Sequence, residues 1–547
     1  MIVLGCLGYS KYLRVKDDRM KWDTPEKLKS LLYELVRWKS QTLTKGEQEF
    51  TQKLYAKFQL LPYFNSNHHY LQTVDVDGGR QVLSALYKHP NTKKTVVLIS
   101  HFDTVQIEEF GALMPLATEP EMITQAFHEA KWMLNEQAQK DLESGDYLFG
   151  RGVMDMKMGL ALHMQALERA IEEEWALNLL LVTVPDEEVS SAGMRVAVNH
   201  IAEVTQNHNL EICLFLNSEP SFSQGPYDTN EYFYTGSIGK VMPAALFYGK
   251  ETHVGEPLKG ISAPFMSAYL EIEMEWNDTF CETVYGETTP LPVALRLQDL
   301  KDQYSTQTPY RAVAMYNVFL MKRSAAEIFD MFEEVTKKAM QKCQERYDEV
   351  CANMKINPIG KIRTIRYSEL LDYAIEKLGK PHIEEIIQEV LALPNLDERD
   401  QSFAIADRLM IQCQELAPAV VVLFVPPFYP AVNSSEHPLV KKLTDVVLKA
   451  AEQYNIPLQQ VHYFNGICDL SYCQLMDDHG WIAYEENTPV WNRTYDIPFE
   501  QISKFDAPVM NLGPYGKDAH QVSERLRINS GFYEMPDLIN QLLRFVE

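Results

Sequence analysis

Near-continuous apolar runs alternate with helical stripes over the first half of the chain. "TVVLIS" (95–100), "LNLLLVTV" (177–184) and "LEICLFL" (210–216) are almost wholly apolar, as strands covered on both faces must be. Between the first two, "MGLALHMQALERAIEEE" repeats its apolar residues at helical spacing from Met158 onward. An earlier helix is predicted at Thr24-Pro25, a capping residue followed by proline, with Leu28, Leu31, Leu32, Leu35 and Val36 as its stripe. Strands alternating with helices predict an α/β fold built on a mostly parallel, helix-covered sheet.

After "TGSIGKVMPAALFYG" (235–249) the pattern changes. "AYLEIEMEW" and "AVAMYNVFLMK" alternate with the period of strands, and an amphipathic helix follows through Ile328, Phe332, Val335 and Ala339. A charge-rich stretch near 340–410 predicts further helices, and "AVVVLFVPPFYP" (419–430) closes the segment. The earlier style then returns in "PLVKKLTDVVLKAAEQY", "QQVHYF" and "APVMNLGP". We therefore expect a catalytic α/β domain in two parts, 21–238 and 427–547, interrupted by an α+β insert over 239–426. Residues 1–20 read as an extension.

Composition narrows the function classes. At 547 residues the chain exceeds the size at which one hydrophobic core keeps growing. A net charge of −25 argues against surfaces that neutralise phosphates or anionic lipid, so neither nucleic acid nor membrane is expected as a partner. The opening "MIVLGCLG" is far short of the ~20 apolar residues that span a bilayer. Eight cysteines without a CxxC pair, and no secretory signal pattern, fit a reducing cytoplasm.

The candidate chemistry sits just beyond the ends of predicted strands, where ligands collect in open α/β sheets. His101 and Asp103 in "ISHFDTV" fall on one face by alternation; a carboxylate two residues from a histidine can orient a metal-binding ring, though H-x-D taken alone reads more simply as a capping aspartate and a surface histidine. Asp155 in "GRGVMDMKMG" precedes a helix and reads as ligand or N-cap. Glu219 in "NSEPS" and His520 in "GPYGKDAHQVSE" again follow strands. Together these are ligand types for two divalent ions, roughly 3.5–4 Å apart and bridged by one carboxylate. Such a site also needs a base that is not a ligand, and adjacent Glu187 and Glu188 in "PDEEVSSAG" offer one of each. A solvated acidic loop or a magnesium phosphate site is the competing reading. The preceding apolar strand and the lack of a GxxxxGK[ST] loop weigh against these.

In order, these five segments resemble the metal-site motifs of the metallopeptidase family that contains aminoacylase, acetylornithine deacetylase, succinyl-diaminopimelate desuccinylase and glutamate carboxypeptidase. "NSEPSF" and "FNGICDLSY" look most like its RocB-type arginine-utilisation branch. The resemblance implies two zinc ions, with cobalt or manganese as alternatives. It implies His101, Asp155 and Glu219 as ligands of one ion and His520, Asp155 and Glu188 of the other, with Asp103 behind His101 and Glu187 as general base. It further implies that the insert is a lid and a dimerisation surface, and that His253 of "FYGKETHVGEP" stabilises the oxyanion, in dimeric members from the partner subunit. Asn317, Arg323 and Arg311 fall where lid residues approach substrate.

The lid is longer than the family norm, and Met158 stands where a glycine is common. The implied activity is hydrolysis of an amide bond in a small N-acyl amino acid or short peptide, within arginine or other amino-acid catabolism. The alternative is a catalytically silent relative that binds metal or a metabolite.

Overall fold

Thr24 caps the first helix, α1 (Pro25–Arg37), its hydroxyl accepting from the Lys27 N–H at 3.3 Å while Pro25 fills the first turn. All five residues of the sequence stripe are buried. The computed structural model describes residues 20–225, 228–477 and 479–547, so the expected extension lies, but for Met20, outside the described residues. After α1 come α2 (Lys45–Phe58), β1 (Leu71–Asp75), β2 (Gln81–Tyr87), β3 (Lys94–His101), α3 (Lys157–Glu172), β4 (Asn178–Val184), α4 (Ala192–Asn207), β5 (Glu211–Asn217) and β6 (Glu231–Tyr234).

The chain then builds a second sheet. Its elements are β7 (Gly239–Val241), β8 (Pro243–Tyr248), α5 (Ala263–Met274), β9 (Val293–Asp299), β10 (Arg311–Leu320) and α6 (Ala325–Asn353). They continue with β11 (Arg363–Arg366), α7 (Tyr367–Leu378), α8 (Lys380–Leu391), α9 (Glu398–Gln412) and β12 (Ala419–Phe424). The return brings α10 (Pro438–Glu452), β13 (Leu458–Val461), β14 (Val509–Asn511) and α11 (Met535–Val546).

The larger sheet has eight strands in the order β1-β2-β4-β3-β5-β14-β6-β13. Its four central strands, β4, β3, β5 and β14, run parallel, while β1, β2 and the β14–β6 junction are antiparallel. Alternation along the strands splits the packing between two cores. Val96 and Leu98 face the side covered by α1, α3, α10 and α11, whereas Val97 and Ile99 face α4 and a core continuous with the second sheet. Each such side chain, fully withdrawn from water, contributes about 1.5–3 kcal/mol. This is a mixed α/β fold organised around one large sheet.

The second sheet runs β9-β10-β8-β12-β11, with β7 also paired to β10. The expectation of a strand over "AYLEIEMEW" is corrected here. Most of that segment lies in α5, where Pro264 occupies the first turn. Met266, Leu270 and Met274 are buried at a spacing of four, while Ile272 between them is 75% exposed. The alternation therefore coincided with a helical stripe. Among the described residues no helix is long and apolar enough to cross a membrane, and the seven cysteines are unpaired.

Candidate metal centre

The parallel strands of the larger sheet all end on one side, and the chemistry collects there. His101 is the last residue of β3; Asp186, Glu187 and Glu188 follow β4; Glu219 follows β5; His520 follows β14. Asp155 joins them from the turn before α3.

Asp155 divides its two oxygens between two histidines. Its Oδ1 lies 3.3 Å from His101 Nε2, and its Oδ2 lies 3.1 Å from His520 Nε2. Each histidine meets a second carboxylate: Glu219 Oε1 at 3.4 Å from His101, and Glu188 Oε2 at 3.1 Å from His520. Two half-sites thus share one acid. Glu187 Oε2 is 3.8 Å from His101 Nε2, beside the first half-site but farther than either carboxylate of that set.

Supporting groups fix these side chains. His101 Nδ1 faces only oxygen acceptors, the Asp103 carbonyl at 3.1 Å and Oδ1 at 3.4 Å, so Nδ1 carries the proton and Nε2 is left to the site. The Asp103 carboxylate also accepts from the backbone N–H groups of Glu187 (3.1 Å) and Glu188 (3.3 Å) and from the Thr42 hydroxyl (2.8 Å). Asp186, at φ 70°, shapes the turn: its Oδ2 accepts from the Ser190 hydroxyl and the Ala192 N–H. Its other oxygen pairs with the buried Arg80 guanidinium, and its N–H donates to Glu47. Beneath Asp155, Glu524 accepts from the Gly152 N–H at 2.7 Å and pairs with Arg151 at 2.5 Å.

The donor set fits divalent cations. His101, Asp155 and Glu188 each offer a ligand atom within 4.8 Å of the others. His101 Nε2 is buried without a hydrogen bond among the described residues, although three carboxylates surround it. Burial works against a charged His101, but Glu219, Asp103 and Asp155 outweigh it and hold its pKa well above the ordinary value. Hydrogen bonds to Asp155 and Glu188 push His520 up to about 11. Burial raises Glu187 and Glu219 well above the usual carboxylate range and raises Glu188 as well. Burial opposes the charge on Asp155 too, yet the two flanking histidines hold its pKa low.

Asp155, Glu187, Glu188, Glu219 and His520 line a cleft of about 1240 Å³ whose opposite wall comes from the second sheet. The remaining residues expected from the sequence are dispersed. Asn317 of β10 lines the cleft. His253 stands exposed in the loop after β8, its Nδ1 accepting from the Gly255 N–H, and is not among the cleft-lining residues. Arg311 pairs with Asp407 at 2.7 Å, and Arg323 donates to the Thr279 carbonyl at the rim of a separate hollow; neither lines the cleft. Sequence reasoning missed Arg80 and Glu47, which lie in no motif, and Arg151, which lies in "GRGVMDMKMG" four residues before Asp155. It also missed Glu524, whose signal was its place four residues after His520.

Comparison with known proteins gives the family and the fold. The protein YqjN of Bacillus subtilis (strain 168), described as uncharacterized, is 40% identical over 528 residues, covering 95% of this chain and 96% of the relative. Protein RocB of the same organism is 29% identical over 535 residues, covering 94% of each chain. Among solved structures, the M20 family metallo-carboxypeptidase Sso-CP2 from Sulfolobus solfataricus superposes with a TM-score of 0.54 at 13% identity, covering 95% of this chain and 99% of that one. Residues 97–480 match the family described as Peptidase family M20/M25/M40. With that match across most of the chain, and a potential metal-ligand group at the sheet's carboxyl edge, the protein belongs to peptidase family M20/M25/M40, as a hydrolase of the metallopeptidase and amidohydrolase type.

Proposed function

We propose that the cleft hydrolyses an amide bond in a small N-acyl amino acid or short peptide, with two divalent ions held by His101, Glu219, His520, Glu188 and a shared Asp155. Zinc suits this mixed histidine and carboxylate set, with cobalt or manganese as alternatives. The single observation that carries the reading is Asp155, whose two oxygens face two separate histidine–carboxylate half-sites. When bound, such ions supply Lewis-acid polarisation of a carbonyl and lower the pKa of water towards ~7.

The chain's own residues would do the rest. Glu187, outside both ligand pairs, takes a proton from the attacking water and passes it to the leaving nitrogen. Asp103 fixes the His101 tautomer and, through two backbone N–H groups, the direction of Glu187 and Glu188. His253, remote from the cleft of its own chain, would reach an oxyanion only as His253 of the partner subunit, in a homodimer formed through the lid. The likeness to Protein RocB supports a substrate from arginine or other amino-acid catabolism. Unpaired cysteines support a cytoplasmic location.

The test joins metal analysis after zinc reconstitution to an amidase screen on N-acyl amino acids and dipeptides. Close to two ions per chain are expected in both the wild type and Glu187→Gln, with turnover in the variant lower by roughly 10²–10⁴. Fewer than one ion per chain would sink the dinuclear reading. Metal-replete protein inert across the screen would favour the silent metal-binding relative.

A further inference from the structure

A short hairpin between α5 and β9 reaches across to the loop that follows β13. Its strands, Thr283–Val284 and Glu287–Thr288, are joined by Tyr285 and Gly286 at φ 54° and 82°. Two successive left-handed residues make the type I′ turn that suits so tight a hairpin. Glycine adopts that conformation freely, whereas a tyrosine is strained in it and keeps it only where its surroundings fix it. Here the Tyr285 ring stacks on His462, with centroids 4.1 Å apart and planes 19° apart. The neighbouring Glu287 carboxylate accepts from two backbone N–H groups, one oxygen from His462 at 2.7 Å and the other from Tyr463 at 3.0 Å.

The foot of the hairpin is tied the other way. The buried Glu282 carboxylate accepts from the N–H groups of Met321 (2.8 Å), Lys322 (3.0 Å) and Arg323 (3.0 Å), directly after β10. Carboxylate acceptors make backbone hydrogen bonds roughly twice as strong as neutral ones, so both attachments are firm. Beneath the hairpin, the buried Tyr463 packs with Ile238 and Met321 and donates its hydroxyl to the Met321 carbonyl at 3.3 Å. Val284, Phe319 and Ile467 pack against that same cluster. Phe319 comes from β10, whereas Phe464 and Ile467 come from the loop that Glu287 holds, and all three line the cleft. Two walls from two sheets thus meet at an apolar end of the cleft, and the hairpin spans them, with Glu282 on one and Glu287 on the other.

We propose that this hairpin is a strut that sets the width of the cleft's apolar end and so selects the apolar group a substrate carries, an inference that rests on the hydrolase reading above. Glu287 does not line the cleft and is a positioning residue, acting through the wall of Phe464 and Ile467. Width matters because dispersion attraction is short-ranged: a radial gap of about 0.5–1 Å forfeits a quarter to a half of it. A wall held at a fixed distance therefore favours one size of aliphatic or aromatic group over shorter and longer ones. That group belongs either to the acyl part or to the amino-acid side chain, and two ligand series tell these apart.

Binding to a protein that cannot turn over keeps this inference apart from the chemistry. Metal-loaded Glu187→Gln protein is titrated calorimetrically with N-acylglycines from acetyl to octanoyl, and with the N-acetyl derivatives of L-alanine, L-leucine and L-phenylalanine. One series at least should show an optimum, its best member binding about tenfold or more tightly than its weakest. Adding Glu287→Ala should compress that spread to within about threefold, with metal content unchanged. Adding Glu287→Gln instead, which keeps one acceptor oxygen, should retain more of the spread. Ile467→Ala opens the same wall directly, so Glu287→Ala added to it should compress the spread no further. With Glu187 in place, Glu287→Ala should raise KM for the best member by the factor lost in binding and leave kcat within about twofold. Two flat series with the hairpin intact, a spread that survives Glu287→Ala, or an equal loss for every member overturns the inference. The expected binding pattern without any turnover would overturn only the hydrolase reading.

Discussion

Asp155 and the two histidines beside it set how this centre responds to pH. Surrounding carboxylates push His520 up to about 11 and hold His101 well above its ordinary value. A histidine ligates a metal only when its nitrogen is unprotonated, so uptake of an ion must expel these protons. The sign follows: near pH 7 the rings are protonated, ion binding releases protons, and apparent affinity climbs as the pH rises. Calorimetric zinc titrations at pH 7 in buffers of different ionisation heat should show at least one proton released per chain; uptake with no proton release would contradict the histidine assignments. These residues were legible because each sits in a short motif directly after an apolar run. Arg80 was not, since an isolated arginine gains meaning only from the residues the fold brings to it. Arg311 and Arg323 show the converse error, a suitable charge on the right segment whose partners, Asp407 and the Thr279 carbonyl, lie outside the cleft.

At the scale of elements, the turn after β4 depends on a hairpin far away in sequence. Arg80, at the start of β2, sits among Asp77, Glu47 and Asp186, and the last two are almost wholly buried. Arg80→Met would leave two buried carboxylates without their cation, a change that costs about 3–5 kcal/mol. Urea unfolding should report that loss, and turnover should fall with it because Asp186 shapes the turn that aims Glu187. A loss under 1 kcal/mol in that measurement would mean the network is not the turn's support. A second element-level constraint is the close passage of α3 under the loop bearing Glu219, where a Cβ on Gly159 would collide with the Ser218 carbonyl oxygen. Gly159→Ala should therefore weaken zinc binding by displacing Glu219, read as a lower affinity in competition with a chelator, while Asp155 and His520 still hold an ion. The strands and helices of the larger sheet were legible because burial on both faces leaves unbroken apolar runs. Helix α5 was not, because in "AYLEIEMEW" charged residues happen to alternate with apolar ones of which only every fourth is buried.

The whole molecule raises a question of completeness, because its own His253 lies outside its own cleft. Strand β9 is the edge of the second sheet, and Leu295 and Leu297 on it are 50% and 46% exposed; Ile272 and Trp276, near the end of α5, are 75% and 67% exposed. An open edge strand with apolar neighbours is a pairing surface unless something covers it. A second copy seated there would bury on the order of 800 Å² per partner in a stable dimer. Sedimentation velocity should accordingly give a dimer, and Leu297→Lys should shift it towards monomer with metal retained. Complementation then decides whether the dimer completes the site. Glu187→Gln keeps His253 and loses the base, whereas His253→Ala keeps the base and loses the imidazole. If His253 of the partner subunit serves each cleft, a mixed dimer holds one intact site, and random exchange of equal amounts of the two variants should restore about a quarter of wild-type activity. If His253 acts within its own chain, or not at all, every mixed dimer contains the same defects as its parents. Activity in the mixture would then stay at the average of the two variants, and the oxyanion donor would have to be some other residue.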